Sequence, residues 1–180
     1  YQIGNQQLLS TQTNHMVICD FRIQDVQLGG QGAPLVPIGD ELLFSQYDFC
    51  INLGGFANIS RSIKGDRIAF DICPVNCVFN YYVSSLGFHY DQDGQTAASG
   101  KLNKPLLYKL NNLDFYNKRF PKSLGIEWVH SEVIPLIDGC NLEVSDILRT
   151  FVEHCAVQIS GEINKVENAS VLVTGGGVYN

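Results

Sequence analysis

Residues 49–70 read Phe49-Cys50-Ile51-Asn52-Leu53-Gly54-Gly55-Phe56-Ala57-Asn58-Ile59-Ser60-Arg61-Ser62-Ile63-Lys64-Gly65-Asp66-Arg67-Ile68-Ala69-Phe70. Three apolar-rich runs of strand length, 49–53, 57–63 and 67–70, are punctuated by Gly54-Gly55 and by Lys64-Gly65-Asp66. A short turn with a central glycine between such runs is a hairpin signal, so the three are predicted to be consecutive antiparallel strands. Downstream the period changes. Val75, Phe79, Tyr82 and Leu86 recur at helical spacing over 75–86, with Gly87 where a helix C-terminal cap belongs. A shorter helix is expected over 104–113 and a polar loop over 114–124. The clearest helix is 146–166, with the stripe Leu148, Phe151, Val152, Cys155, Ile159, Ile163 and Val166, and Ser145 is its expected N-cap. Residues 170–174 form a last strand that runs into Gly175-Gly176-Gly177. Strands, then helices, then a strand with a glycine turn make an α/β fold.

Upstream of the first hairpin, 16–20 reads as a buried strand ending in the carboxylate of Asp20. A long Gly/Pro loop follows over 27–39. It is either a bare connection or a place where backbone approaches a ligand closely, its two later prolines stiffening the exit. The 180 residues are 45% hydrophobic and 17% charged, with a net charge of −6. This is a globular composition that excludes disorder and collagen-like structure. An acidic chain whose densest basic stretch is 117–122 is a poor electrostatic ligand for nucleic acid, and that stretch reads as a solvated face. No apolar run approaches the length of a membrane span.

The six cysteines are spread along the chain, and Cys19, Cys50 and Cys155 sit among apolar neighbours as small buried hydrophobes do. Cys73 and Cys77 have the spacing of a metal half-site, but no second half-site accompanies them. The four histidines show no partner pattern and read as structural or surface residues. The expectation is a reduced, cytoplasmic protein with no membrane or nucleic-acid partner. Position 1 is not Met, and the glycine turn at 175–177 is followed by only three more residues. Both ends therefore read as those of a piece cut from a longer protein.

Several segments resemble anhydro-N-acetylmuramic acid kinases. Cys19-Asp20-Phe21-Arg22, Asp25 and then 29–37 (GGQGAPLVP) are similar to that family's DFR segment and the loop after it. Residues 52–60 (NLGGFANIS) resemble its NIGGIANIS segment. Tyr90-Asp91, Gly94, Ala97 and Gly100-Lys101 resemble YDxxGxxAxxGK, 121–125 resemble PKSTG, and Gly175-Gly176-Gly177 with Asn180 resemble GGGxxN. These matches are collinear and cover nearly the whole chain. The family's GTSxDG phosphate loop is absent from it.

The resemblance implies a ribonuclease-H-like (actin-like ATPase) fold of the sugar kinase/Hsp70/actin superfamily, a mixed sheet flanked by helices, with part of a second such domain. Residues 1–46 would be the tail of a first domain and 47–180 most of the second, nucleotide-binding one. It implies an ATP-dependent carbohydrate kinase with Mg²⁺, acting on an amino sugar in peptidoglycan recycling, and inactive as a fragment. Asp20 matches the catalytic base, although from the residues alone an N-cap or a salt bridge to Arg22 is the favoured reading. Arg22, Gly29, Gly30, Gln31 and Gly32 are implied to bind substrate. Gly54, Gly55, Asn58, Asp71, Asn76, Gly175, Gly176 and Gly177 are implied to bind nucleotide, with no protein metal ligands. One departure stands out: where the family reads FDTGPGN, this chain reads Phe70-Asp71-Ile72-Cys73-Pro74-Val75-Asn76. Side chains at 73 and 75 would obstruct phosphate if that backbone touches it. A related kinase of other specificity and a non-catalytic actin-like module are the competing readings. A piece exposing apolar surface is expected to self-associate, for instance as a homodimer.

Overall fold

The structure, a computed structural model, describes residues 6–30, 32 and 34–179. It divides into two compact units, Tyr1–Val36 and Pro37–Asn180.

In the first unit, helix α1 (Gln6–Thr13) and helix α2 (Phe21–Gln27) are joined by an irregular segment over 14–20. The strand expected over 16–20 does not form: the segment has no ladder partner, and Met16 and Ile18 are 89% and 73% exposed. A strand needs a neighbour for its N–H and C=O groups, and the described residues of this unit provide none. Cys19 is accordingly exposed rather than buried. The expected Gly/Pro loop is also shorter than its sequence suggests. Pro37 opens helix α3 (Pro37–Leu43), a position where a missing N–H costs nothing, and α3 belongs to the second unit.

The second unit is built on a mixed sheet. Strands β1 (Phe49–Leu53), β2 (Phe56–Ile63) and β3 (Asp66–Pro74) form the expected antiparallel meander. The β2–β3 turn has positive φ at both Lys64 (55°) and Gly65 (93°), the combination whose twist suits a two-residue hairpin. Strand β4 (Val171–Thr174) pairs parallel with β1, so the order is β3-β2-β1-β4. Ile51 and Ile59 point to one face; Cys50 and Ser60 point to the other. Helix α3 is tied to β2 and β3 through Asp40, which accepts a hydrogen bond from Ser60 Oγ at 2.5 Å and lies 4.0 Å from the buried Arg67 guanidinium.

Helix α4 (Asn76–Ser84) and helix α9 (Val144–Ile163) cross over the core, with Phe79 and Phe151 in edge contact at 5.4 Å. Helix α4 stops short of the expected end, leaving Leu86 exposed, while Gly87 takes the positive φ expected of a C-terminal cap. Between them lie the short helix α5 (Gln95–Ser99), helix α6 (Lys104–Asn111), and α7 (Ile126–Trp128) continuing through a π turn (Val129–Val133) into α8 (Ile134–Asp138). Helix α9 begins two residues before the expected start. Glu143, not Ser145, occupies the N-cap, and Ser145 lies inside the first turn. Val152 and Val166 of the expected stripe are at least about one-third exposed; Leu148, Phe151 and Cys155 of that stripe are buried, and Ile147 and His154 join them on the buried face.

His154 is fully buried. Its Nδ1 lies 2.6 Å from Asn111 Oδ1, and its Nε2 lies 2.8 Å from the Tyr116 hydroxyl. Because Asn111 Oδ1 also accepts from Gln158, the network assigns the proton to Nδ1 and makes Nε2 the acceptor for Tyr116. Burial pushes the imidazole pKa down to about 3, so it is held neutral.

Candidate active site

In the first unit, Asp20 sits at the N-cap of α2 with left-handed backbone (φ 64°, ψ 23°), and its carbonyl accepts from Gln24 N–H at 2.9 Å. Its side chain makes no cap bond, so the plain N-cap reading does not account for it. The Arg22 guanidinium donates to the carbonyl of Gly32. Asp25 does more than its sequence signal suggested: its carboxylate accepts the Gly32 N–H at 2.7 Å, and its carbonyl accepts the Gly30 N–H at 2.8 Å. The glycine loop is therefore folded back onto α2 by Arg22 and Asp25. There is no room for a side chain at position 30, where a Cβ would stand 2.2 Å from Asp25 Oδ2. Gln31 lies outside the described residues.

In the second unit, two glycine turns meet at the C-terminal ends of the parallel strands β1 and β4. The first, Gly54-Gly55, turns its carbonyls toward the start of α4. Gly55 O accepts from Val75 N at 2.9 Å and Cys77 N at 3.2 Å, and Gly54 O accepts from Asn76 N at 3.2 Å. These bonds use N–H groups that a helix start would otherwise leave unpaired. The start of α4 is thus capped by protein rather than open to an anion. Gly54 N–H is spent on Phe56 O at 3.1 Å, while Gly55 is exposed, with nothing within 4 Å of where a Cβ would be.

The second turn, after β4, packs hard against β1. Gly175 has φ 91°, and a Cβ there would lie 2.5 Å from Asn52 Oδ1 and 2.6 Å from Leu53 O. Position 175 therefore requires glycine twice over, for its backbone angle and for its approach. The helix that such a turn usually opens is here a single 3₁₀ turn, Gly176–Tyr179.

Just before the two turns, the register sets Asp71, Asn58, Asn52 and Thr174 in one row across all four strands. The row includes Asn52 and Thr174, which sequence reasoning did not single out. It depends on a bulge that inserts Ile72 between Asp71 and Cys73, and no sequence pattern announced that bulge. Asp71 also holds residues 122–124 against β3. Its N–H donates to Lys122 O at 3.1 Å, and its carboxylate accepts the Leu124 N–H at 2.8 Å. Burial pushes the Asp71 carboxyl above the ordinary carboxylate range, and the Leu124 N–H partly offsets this. The departures at 72, 73 and 75 all point inward, with Ile72, Cys73 and Val75 each at most 4% exposed.

A cavity of about 510 Å³ opens beside the second turn, lined by Asn76, Asn80, Tyr90, Asp91, Gln92, Asp93, Gly176 and Tyr179. It gathers Asn76 and Gly176 of the expected nucleotide set and adds five residues from the 80–93 region together with Tyr179. Asp91 is 3% exposed, and its two oxygens accept the N–H groups of Thr96 and Ala97 at 2.8 and 2.9 Å, anchoring the start of α5. Asp93 has left-handed backbone, φ 54°. Among the described residues the lining has carboxylates, carboxamides and two aromatic rings but no Lys or Arg. Gly54, Gly55, Asn58, Asp71, Gly175 and Gly177 do not line it.

The family model for anhydro-N-acetylmuramic acid kinase matches residues 1–180. Among curated proteins, the chain is 38% identical over 192 residues to the anhydro-N-acetylmuramic acid kinase of Pseudomonas savastanoi pv. phaseolicola (strain 1448A / Race 6), with 99% of this chain and 52% of that protein covered. It is 34% identical to the kinase of the same name from Haemophilus influenzae (strain ATCC 51907 / DSM 11121 / KW20 / Rd) and 33% identical to that from Shewanella denitrificans (strain OS217 / ATCC BAA-1090 / DSM 15013), with 99% of this chain covered in each case. The chain spans about half the length of the curated relatives it matches. With collinear motifs, a mixed α/β sheet and a family match over its whole length, the chain belongs to the anhydro-N-acetylmuramic acid kinase family.

Proposed function

We propose that this chain forms part of the reacting machinery of an ATP-dependent carbohydrate kinase that opens 1,6-anhydro-N-acetylmuramic acid and phosphorylates it. The observation that carries this reading is the convergence of the two glycine turns with the cavity beside Gly176, in a chain whose relatives are named for that kinase. In the proposed reaction Asp20 takes a proton from water as the water oxygen bonds to C1. The bridging C1–O bond breaks and leaves the oxygen on C6. That oxygen attacks the γ-phosphorus of ATP, ADP departs, and the proton on Asp20 is later lost to solvent. The product is N-acetylmuramic acid 6-phosphate, which fits a place in recycling cell-wall peptidoglycan in the cytoplasm. Arg22 and the Gly29–Gly32 loop, including Gln31, would hold the sugar.

For the nucleotide, the absence of cations from the cavity lining favours the uncharged nucleoside end there, with phosphates directed away toward Gly55 and Asn58. Backbone N–H groups around unhindered glycine suit phosphate oxygens. Asp71, bound to the 122–124 segment, would position the sheet row rather than touch nucleotide. Among the described residues no group of three His, Cys, Asp or Glu side chains is placed to hold a metal. Mg²⁺ would thus be carried chiefly by the ATP phosphates and water, as it commonly is in phosphoryl transfer, where it neutralises charge on the phosphates.

The test is turnover in H₂¹⁸O by a protein that carries this chain together with the rest of the family's length. One ¹⁸O at C1 of the phosphorylated product, with one ADP released per sugar, supports the reading. ADP release with no label at C1, or none that depends on this sugar, overturns it.

A further inference from the structure

Residues 75 and 76 touch both glycine turns at once. The Val75 N–H donates to Gly55 O at 2.9 Å, which ties it to the β1–β2 turn. Its side chain lies on the other turn: Val75 Cγ1 is 3.3 Å from where a Cβ on Gly177 would stand. Gly177 is confined from its other side by Leu53, whose Cβ and carbonyl lie 2.8 and 3.0 Å from the same point. Asn76 repeats the pattern, with its N–H on Gly54 O at 3.2 Å, its Nδ2 on Leu53 O at 3.4 Å, and that same Nδ2 3.8 Å from the Cβ position of Gly176. Val75 is only 4% exposed and belongs to the core cluster.

A β-branched residue has few χ1 choices, so this contact has a defined shape, unlike that of a flexible side chain. Of the two residues that join the turns, Val75 supplies the stiff apolar link and Asn76 a polar one. We propose that Val75 is a positioning residue that locks the Gly54-Gly55 turn to the Gly175–Gly177 turn, and that the protein's grip on ATP depends on this lock. The second half of the statement rests on the nucleotide reading above. Val75 touches no substrate in this scheme; it acts through the two turns. It also gives the departure from the family's glycine a consequence, since a glycine at 75 could not reach Gly177.

Val75→Ala removes the Cγ atoms and keeps the backbone bond to Gly55. Val75→Thr keeps the branched shape with a hydroxyl in place of a methyl. Val78→Ala, one turn further along α4 and fully buried, truncates the same core without contacting either turn in this scheme. Two readouts separate the parts of the proposal. Hydrogen exchange of this chain reads the lock itself. Val75→Ala is expected to speed exchange together, by about tenfold or more, at the hydrogen-bonded amides of the two turns, Gly54 (to Phe56 O) and Val178 (to Gly175 O), whereas Val78→Ala leaves the two unchanged relative to the rest of the sheet. Steady-state kinetics of the full-length kinase reads the consequence. Val75→Ala is expected to raise KM for ATP about tenfold with kcat changed much less, Val75→Thr to stay within about threefold of wild type, and Val78→Ala to lower Tm while leaving KM unchanged. If Val75→Ala and Val78→Ala behave alike in both readouts, Val75 is only a core residue and the proposal is overturned. If exchange shows the lock but KM for ATP does not move, the dependence of ATP binding on it is overturned. If wild type shows no ATP-dependent turnover, it is the nucleotide reading that fails, and exchange alone decides whether the turns are coupled.

Discussion

Replacing Gly175 by alanine should destabilise the second unit far more than the same change at Gly55, although both are turn glycines at the same end of the sheet. Two costs coincide at 175. Its φ of 91° is one that a side-chain-bearing residue rarely adopts, at about 1–3 kcal/mol. The new Cβ would also lie 2.5 Å from Asn52 Oδ1 and 2.6 Å from Leu53 O; the second is backbone of a central strand and cannot swing aside. Forcing atoms into a packed site costs about 1–3 kcal/mol more. The sum is roughly 2–6 kcal/mol, a large share of the ~5–15 kcal/mol that holds a domain folded. At about 2–4 °C per kcal/mol for a chain of this size, the melting midpoint should fall by roughly 4–24 °C. Gly55 has no positive φ and nothing within 4 Å of its Cβ position, so Gly55→Ala should stay within about 0.5 kcal/mol. Thermal unfolding followed by circular dichroism on the two variants measures this directly. Equal shifts, or a larger one at Gly55, would refute the close approach of the post-β4 turn to β1.

Three further outcomes follow from the same geometry. His154 is held neutral in the folded chain and protonates when unfolded, so between its folded pKa of about 3 and an unfolded value near 6.5 the unfolded state binds more protons. Stability should therefore fall as pH drops below about 6.5, by up to about 1.4 kcal/mol per unit, and urea midpoints at pH 7 and pH 5 should differ less in His154→Gln. Asp71, with its carboxyl pushed up by burial, works in the opposite sense, so the difference between wild type and His154→Gln is the quantity to read. Asn103→Ala removes the side-chain oxygen that accepts Leu106 N–H at 2.9 Å at the start of α6 and should cost about 1 kcal/mol in denaturant unfolding; no change would mean that water replaces the cap fully. Asp71→Ala should free the Leu124 N–H and speed its exchange, while the backbone bond from Asp71 to Lys122 O and the exchange of Ile51 and Ile59 stay unchanged; protection retained at Leu124 would contradict the side-chain strap.

Local chemistry made much of this fold legible. Gly54-Gly55 and Lys64-Gly65 marked both hairpin turns because turn residues act on their own backbone. The α9 stripe and the strand before Gly175 were equally local patterns. What escaped was decided by neighbours. The 16–20 segment is a short apolar run like a buried strand, but Met16 and Ile18 stay exposed for want of a partner among the described residues of its unit. The helical stretch over 126–138 was not read from the sequence; Pro135 falls in the first turn of α8, where a proline is tolerated, directly after the π turn. In the site, the glycine turns were readable as motifs, whereas the capping of α4 by Gly54 and Gly55 carbonyls was not, because it joins residues about twenty apart. The row Asp71-Asn58-Asn52-Thr174 needed the register and its bulge. Asn80 and Asp93 entered only because the chain between α4 and α5 turns back on the Gly176 turn to enclose a cavity.

The central claim is that a chain of this family uses Asp20 as the base in an ATP-dependent opening of the anhydro sugar. It is tested most directly by ADP release from ATP, Mg²⁺ and 1,6-anhydro-N-acetylmuramic acid, with wild type and Asp20→Asn side by side in the full-length kinase. The account expects wild-type turnover and a loss of kcat of about 10²–10⁴-fold in the variant, with KM for ATP little changed. Turnover that survives in Asp20→Asn, or a wild type that binds ATP but ignores this sugar, would contradict it.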